Sequence, residues 1–205
     1  MFIQIIQGRC SRESEMRAAL DSWRATCEAG AEGYLGGTYG FTDDGMFVAV
    51  VRFESKELAQ RNSERPEQGT WWAETERLFE SPPEFLDCAD VLVILDGGSD
   101  DAGFVQIMRG RLTDRQRAKQ MVRDTESALR EARPDVIGAT LAIADDDTFV
   151  QTVAFASEAE ARKGEQQEMP ADVREEMDAV MTVDSYLDLH HPFFATRQSD
   201  REAVS

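Results

Sequence analysis

Residues 2–9 of the chain, FIQIIQGR, return at residues 104–111 as FVQIMRGR, a shift of 102 positions. At that shift the sequence aligns with itself without a gap over about sixty residues, which is the signature of an internal duplication. Glycines coincide as well, and Gly36 falls on Gly138. The chain is therefore expected to use one fold unit twice.

The first copy begins with a strand and a helix. Its opening stretch is rich in isoleucine and precedes Gly8, a pattern typical of a buried strand that ends at a turn. Ser11 is expected to begin the helix and Gly30 to end it. Apolar residues at helical spacing predict its buried face. They are Met16, Ala19, Leu20, Trp23 and Cys27.

A β-hairpin is predicted next, because Asp43-Asp44-Gly45 separates two runs of strand-forming residues. The predicted strands cover residues 34–41 and 46–54. Two helices at 56–62 and 70–79 and a last strand at 85–95 complete the unit.

The second copy repeats this order. Thr113 and Gln116 have the spacing of a capping box at the start of its first helix, and Pro134 is expected to end that helix. The remaining predicted elements are strands at 136–144 and 148–156, helices at 158–164 and 171–181, and a strand at 185–190.

Alternation along the first hairpin strand predicts which of its faces is covered. Leu35, Tyr39 and Phe41 share the face expected beneath the helices. The opposite face is mostly small, as expected where another sheet approaches closely. It carries Tyr34, Gly36, Thr38 and Gly40.

This order of elements is that of a ferredoxin-like split βαβ unit. Such a sheet has helices on one face only, so two copies can cover each other. The predicted fold is α+β, with two tandem ferredoxin-like (βαββαβ) repeats that form a pseudo-dimeric α/β barrel. The predicted boundaries are 1–95 for the first repeat, 96–103 for a linker, 104–194 for the second repeat and 195–205 for a disordered tail.

Composition narrows the partners and the location. A formal charge of −18 on 205 residues disfavours nucleic acid and anionic membranes as partners. Cys10, Cys27 and Cys88 have no metal-type spacing and favour a reducing compartment. The longest aliphatic run, 91–95, is too short to span a bilayer. We expect a cytoplasmic protein without a signal peptide. Because the two repeats of one chain would cover each other, we expect it to be a monomer.

Residues 65–85, RPEQGTWWAETERLFESPPEF, resemble the tryptophan-containing helix and return strand of the dimeric α/β-barrel superfamily. That superfamily includes the antibiotic-biosynthesis monooxygenases, and the chain is similar to tandem members of actinobacterial type. The resemblance implies a cofactor-independent monooxygenase whose aromatic substrate itself supplies electrons to dioxygen. The protein would then provide a dry pocket with a few hydrogen-bond donors.

Haem-degrading members of the superfamily use an Asn on the first strand, a Trp and an axial His. Here the nearest first-strand amides are Gln4 and Gln7, and Trp71 or Trp72 would stand for the tryptophan. The first copy contains no histidine. No cofactor is therefore expected.

The candidate ligand-binding residues are Gln4, Trp23, Tyr39, Trp71 and Trp72. Gln4 and its counterpart Gln106 either offer donors to a ligand or bond to each other or to the backbone. The aromatic residues have no aromatic counterpart in the second copy, which places a single site in the first. Alternatively, they only fill that core. Adjacent tryptophans on a helix point about 100° apart, so at most one should face a pocket.

Other polar groups are predicted to be structural. His190 and His191 lie on opposite faces of a strand, which makes them poor ligands for one metal. Arg9 and Arg111 end equivalent strands, where an ion pair with a nearby carboxylate is expected. No metal site is predicted at the hairpin tips.

Two functions remain open at this point. One is an oxygenase or binding site for a small aromatic or polyketide-like molecule in the first repeat. The other is a non-catalytic ligand-binding or structural protein, favoured by the absence of an obvious acid, base or metal set.

Overall fold

The structure, a computed structural model, describes residues 1–168 and 170–195. The strands are β1 (Phe2–Arg9), β2 (Tyr34–Phe41), β3 (Met46–Phe53), β4 (Glu84–Ile94), β5 (Phe104–Leu112), β6 (Val136–Ala144), β7 (Thr148–Phe155), β8 (Met181–Leu189) and β9 (Phe193–Ala195). The helices are α1 (Glu13–Thr26), α2 (Lys56–Ser63), α3 (Pro66–Thr75), α4 (Arg115–Ala132), α5 (Glu158–Glu165) and α6 (Ala171–Val180). Short 3-10 turns follow α1 at Glu28–Gly30 and α3 at Glu76–Leu78. Each half runs strand, helix, strand, strand, two helices and strand, so the predicted tandem ferredoxin-like fold is confirmed.

The chain divides into two compact units. The first holds residues 1–89 and Phe193–Ala195, and its strands lie in the order β4-β1-β3-β2-β9. The second holds Asp90–Pro192, with the order β8-β5-β7-β6-β4. The division at residues 89 and 90 falls within β4, and the short strand β9 belongs to the first unit.

The bounds of the strands near the C-terminus differ from the prediction. β8 begins at Met181 rather than at residue 185, and β9 was not predicted as a strand. Ala195, placed in the predicted tail, pairs with Gly37 of β2. The rest of that tail, residues 196–205, lies outside the described residues.

Three helix starts also differ from prediction, and α3 begins at Pro66 rather than near residue 70. α1 begins at Glu13, after Arg12, rather than at Ser11. The N-cap of α4 is Asp114, whose carboxylate accepts a hydrogen bond from Arg117 N at 3.0 Å. The predicted capping box is wrong because Thr113 instead donates its hydroxyl to Ala179 O, at 2.8 Å.

A β-bulge in β2 reverses the predicted face of Tyr34. The pairing with β3 shifts between Tyr34 and Gly36, and Gly36 has a φ of 130°. The extra residue turns Tyr34 towards the helices, where it is 1% exposed, and leaves Leu35 half-exposed. β6 contains the same shift between Val136 and Gly138, so the bulge belongs to the fold unit.

The hairpin tips are closed in the same way in both units. Arg9 Nη1 donates to Asp44 O at 2.8 Å, and its Nη2 lies 3.2 Å from Asp44 Oδ2. Arg111 bonds Asp146 identically, at 3.0 and 3.4 Å. The expected structural ion pairs are confirmed.

The connection between the last two helices differs between the repeats. Residues 64–65 separate α2 from α3, whereas residues 166–170 separate α5 from α6. Counting from the first residue of each helix, Trp71 and Trp72 correspond to Glu176 and Met177. A constant shift of 102 assigns them wrongly to Val173 and Arg174, although the partners remain non-aromatic.

The first unit has two buried clusters beneath its helices, one around Trp23 and Tyr34 and the other around Tyr39 and Phe47. The core of the second unit is built around Phe104, Leu141 and Phe149. Among the helices of residues 1–168 and 170–195, none has the length and apolar character needed to cross a membrane.

The equivalent glycines Gly8 and Gly110 give a matched test of packing. A Cβ at Gly110 would lie 1.9 Å from the backbone oxygen of Thr182, whereas a Cβ at Gly8 would meet the ring of Phe79 at 2.7 Å. Because a ring can rotate and a paired strand cannot, we expect Gly110→Ala to cost roughly 3 kcal/mol or more and Gly8→Ala roughly 1–2 kcal/mol. Urea denaturation of both variants measures this difference, and equal costs would contradict it.

Candidate functional site

A cavity of about 80 Å³ lies in the first unit, between the helices and the sheet. Its lining combines side chains of α1, α2 and α3 with side chains of β1, β2 and β3. All five residues singled out from the sequence contribute to it: Gln4, Trp23, Tyr39, Trp71 and Trp72.

Two buried tyrosines, Tyr34 and Tyr39, form part of the sheet side of the cavity. Their hydroxyl oxygens lie 3.3 Å apart, and Tyr34 Oη donates to Ala195 O at 3.3 Å. Because a carbonyl can only accept, the arrangement that satisfies both bonds has Tyr39 donating to Tyr34. Burial is the largest cause that raises the pKa of both phenols. Both hydroxyls therefore stay protonated at neutral pH.

A polar network, defined here as Trp23, Asn62, Arg65 and Gln68, lies on the helical side, and all of its members except Arg65 line the cavity. Trp23 Nε1 donates to Gln68 Oε1 at 2.6 Å, and Asn62 Nδ2 donates to the same oxygen at 3.3 Å. Arg65 Nη1 donates to Asn62 Oδ1 at 2.9 Å and to Cys27 O at 3.0 Å. The network joins the end of α1 to α2 and α3.

The two neighbouring tryptophans of α3 are held differently. Trp71 Nε1 donates to Ala19 O at 2.7 Å, and its ring lies 6.4 Å from that of Trp23. Trp72 makes ring contacts with Phe79 and Phe85, with centroids 6.3 and 5.3 Å apart. Both tryptophans line the cavity. That at most one of them faces it squarely stays a prediction.

The strand glutamines do not bond to each other. Gln4 Nε2 donates to Asp87 Oδ1 at 2.8 Å, and Gln106 Nε2 donates to Asp188 Oδ1 at 3.0 Å. Asp87 and Asp188 occupy equivalent places on β4 and β8, opposite these glutamines. A pair present in both units is a feature of the fold, and it uses one of the two N–H donors of the Gln4 amide.

The lining of the cavity carries no carboxylate, imidazole, amine or guanidinium within the described part of the chain. His190 lies in the second unit, where its Nδ1 is 2.7 Å from Glu158 Oε2 and its ring is 5.7 Å from that of Phe104. This is the structural role expected from the sequence. Residues 1–168 and 170–195 contain no cluster of three or more His, Cys, Asp or Glu side chains able to hold a metal ion.

Sequence reasoning missed Gln68 and Asn62. One signal could have identified Gln68: it shares a helix face with Trp71 and Thr75, at positions i, i+3 and i+7. A polar residue in the buried stripe of a short helix indicates a hydrogen-bond network. Asn62, at the end of α2 and 7% exposed, has no comparable signal.

Comparison with solved structures identifies other proteins that have this fold. No family model matches the sequence, and no curated protein sequence is significantly similar to it. A candidate monooxygenase from Lactobacillus acidophilus superposes with a TM-score of 0.72 at 13% identity, covering 96% of each chain. A candidate monooxygenase from Fusobacterium nucleatum subsp. nucleatum superposes with a TM-score of 0.74 at 9% identity, covering 96% of this chain and 94% of that chain.

An anthrone oxidase-like protein gives a TM-score of 0.60 at 9% identity, over 96% of this chain and 93% of its own. At such identities the likeness shows the fold alone. The chain thus has the antibiotic-biosynthesis-monooxygenase-like fold as a tandem duplication, in agreement with the resemblance seen in its sequence.

Proposed function

We propose that the first unit binds a small, flat aromatic compound bearing a carbonyl or phenolic oxygen, and that it promotes oxidation of this compound by dioxygen without a cofactor. The observation that carries the proposal is the convergence of Trp23, Tyr39, Trp71 and Trp72 on one cavity. Aromatic side chains offer a flat apolar surface that suits a fused-ring ligand. The anthrone oxidase-like neighbour supports the same class of substrate.

The size of the cavity requires one wall to move. Its volume of about 80 Å³ is small beside the roughly 300 Å³ or more of typical small-molecule pockets. Trp23 and Trp71 are fixed by hydrogen bonds from their indole nitrogens. Trp72 is half-buried and held by ring contacts alone in the described residues. We assign Trp72 as the movable wall.

The chemistry requires little of the protein beyond a dry site. For anthrone, the ring CH₂ group becomes a carbonyl: one oxygen atom of O₂ enters the product, the other leaves as water, and anthraquinone is formed. The substrate supplies all four electrons. The lining offers no base, and the tyrosines are protonated, so the substrates are ketones whose C–H group ionises readily on its own.

A second candidate function is binding of the same class of compound without catalysis. The observation that favours it is the uncharged lining, because enzymes that move protons usually place a general base within reach of the substrate. In both cases we propose a monomeric protein of a reducing cytoplasm, in keeping with its three free, buried cysteines.

Anthrone turnover separates the two functions. We expect the protein to accelerate oxygen uptake by anthrone, with one anthraquinone formed for each O₂ consumed, because the pocket would stabilise the enolate. Oxygen-electrode traces are compared with protein-free buffer and with bovine serum albumin, which corrects for autoxidation. Binding of anthrone without acceleration would favour the non-catalytic function, and no binding at all would overturn the pocket itself.

The two α3 tryptophans should respond differently to truncation. Trp71→Ala removes a bonded, packed ring and should cost roughly 3–5 kcal/mol of stability. Trp72→Ala should cost less, roughly 1–2 kcal/mol, and should bind anthrone more tightly because the wall no longer has to be displaced. Chemical denaturation and fluorescence titration measure both effects. Loss of anthrone binding by a stable Trp72→Ala variant would contradict the movable wall and identify a stacking surface.

The buried tyrosines predict a loss of stability at high pH. Because burial raises their pKa in the folded protein, the folded state holds these protons after the unfolded chain begins to release them near pH 10. The free energy of unfolding should therefore fall as pH rises above about 10, by up to about 1.4 kcal/mol per pH unit for each tyrosine.

Tyr39→Phe should flatten this fall, whereas Tyr186→Phe, a change at an exposed tyrosine, should not. Urea denaturation between pH 8 and pH 11 provides the measurement. Parallel profiles for the wild-type protein and Tyr39→Phe would show that Tyr39 ionises equally easily in both states.

A further inference from the structure

We infer that Gln68 is the residue that recognises the ligand, through its side-chain NH₂ group, and that the ligand must present a hydrogen-bond acceptor oxygen to it. The inference rests on the proposed function, because it requires that the cavity of the first unit binds a small molecule. It adds the residue and the atom that set specificity.

The other polar hydrogens of the lining are mostly engaged. The indole N–H groups of Trp23 and Trp71 donate to Gln68 and to a backbone carbonyl. Tyr34 donates to Ala195 O, Tyr39 donates to Tyr34, and the Gln4 amide donates to Asp87 through one of its two N–H groups. The hydroxyls of Ser63 and Thr75 bond backbone carbonyls of their own helices. Among the described residues, these bonds leave one N–H of Gln4 unused, and Asn62, which donates to Gln68, keeps one as well.

The orientation of the Gln68 amide follows from the polar network. A guanidinium can only donate, so the atom of Asn62 that faces Arg65 must be its oxygen, and its NH₂ group points to Gln68. An indole N–H also can only donate, so Trp23 requires the oxygen of Gln68 as well. Both neighbours thus fix Gln68 Oε1 as the internal acceptor, and its NH₂ group must face away from them.

The NH₂ group of Gln68 makes no hydrogen bond to any residue in 1–168 or 170–195. It is also not fully buried, since Arg24 Nε, 3.5 Å from Glu28 Oε2, is the one fully buried side-chain nitrogen or oxygen without a hydrogen-bond partner among these residues. Gln68 lines the cavity, and we assign its NH₂ group, whose orientation the network fixes, as the donor that a ligand meets there. Trp72 Nε1 also donates no hydrogen bond among the described residues, but its ring is held by ring contacts alone, so its N–H has no fixed orientation.

The chemistry of this donor defines the ligand class. An N–H of this amide can donate to a lone pair of a ketone, quinone or enolate oxygen. A hydrocarbon of the same shape would displace water from the amide without forming a hydrogen bond to it. A buried donor therefore discriminates strongly against the analogue that lacks the oxygen. We therefore expect selection for the oxygen rather than for the ring system alone.

The test compares 1-tetralone with tetralin, which share a two-ring carbon skeleton and differ in the ketone oxygen. Gln68→Glu is the informative variant, because a carboxylate still accepts from Trp23 and Asn62 but donates no hydrogen bond. Gln167→Glu, at an exposed position of the second unit, adds the same charge elsewhere and serves as the matched control. Affinities are measured by fluorescence titration, with a melting curve for each variant.

We expect the wild-type protein and Gln167→Glu to prefer 1-tetralone to tetralin by about tenfold, and Gln68→Glu to lose that preference because its binding of the ketone weakens about tenfold more than its binding of tetralin. Equal affinity of the wild-type protein for both compounds, or an equal loss of both in Gln68→Glu, would overturn the role of Gln68 and leave the pocket standing. No binding of either compound would overturn the proposed function, and this inference with it.

A second measurement does not depend on how the variant folds. In ¹⁵N-labelled wild-type protein, the side-chain amide resonances of Gln68 should shift when 1-tetralone is added, and should shift much less with tetralin. A similar shift with both compounds, or none with 1-tetralone when binding is seen by fluorescence, would also overturn the role of Gln68.

Discussion

The interior of the first unit depends on the β-bulge at the start of β2. Without the shift between Tyr34 and Gly36, alternation would direct Tyr34 away from the helices. With it, the Tyr34 ring packs at 4.8 Å from that of Trp23 and at 5.6 Å from that of Phe53. The same shift brings the Tyr34 hydroxyl beside Tyr39. The bulge therefore converts a plain hairpin strand into one wall of a cavity.

Both units contain this bulge, yet their interiors differ because the residues at matching places differ. Val136 stands where the first unit has Tyr34, and Leu141 stands where it has Tyr39. The third residue of α6 is Val173, where α3 has Gln68. Aliphatic side chains of this kind pack without hydrogen-bond requirements, and the core of the second unit combines them with Phe104, Phe149 and Phe155. Duplication thus provided two copies of one framework, and the polar network was built in one of them.

The sequence was sufficient for the features that depend on local pattern and on the repeat. The shift of 102 residues revealed the duplication, and the gathering of aromatic residues in the first copy indicated where a cavity would form. It was insufficient where one inserted or displaced residue changes the register. The bulge moved Tyr34 to the other face, and the longer connection before α6 changed the partners of Trp71 and Trp72.

The donor role of Gln68 lay further beyond the sequence. The amide could have been turned either way, and its orientation is set by Trp23, Asn62 and Arg65, which lie on separate elements. Only the contacts between α1, α2 and α3 bring these groups together. The spacing of residues along a single helix does not predict these contacts. A structure is therefore needed to distinguish a free hydrogen-bond donor from donors that already bond within the protein.

The uncharged character of the cavity also limits what the site has to achieve. A buried charge would need a partner and would bring water with it, whereas neutral donors can be desolvated at modest cost. Oxidation of an activated ketone by dioxygen passes through an enolate, whose negative charge develops on oxygen. A fixed amide dipole of known orientation, set in a largely apolar wall, stabilises that charge without having to reorganise. The arrangement around Gln68 therefore suits recognition of the ketone and stabilisation of its enolate by the same amide N–H.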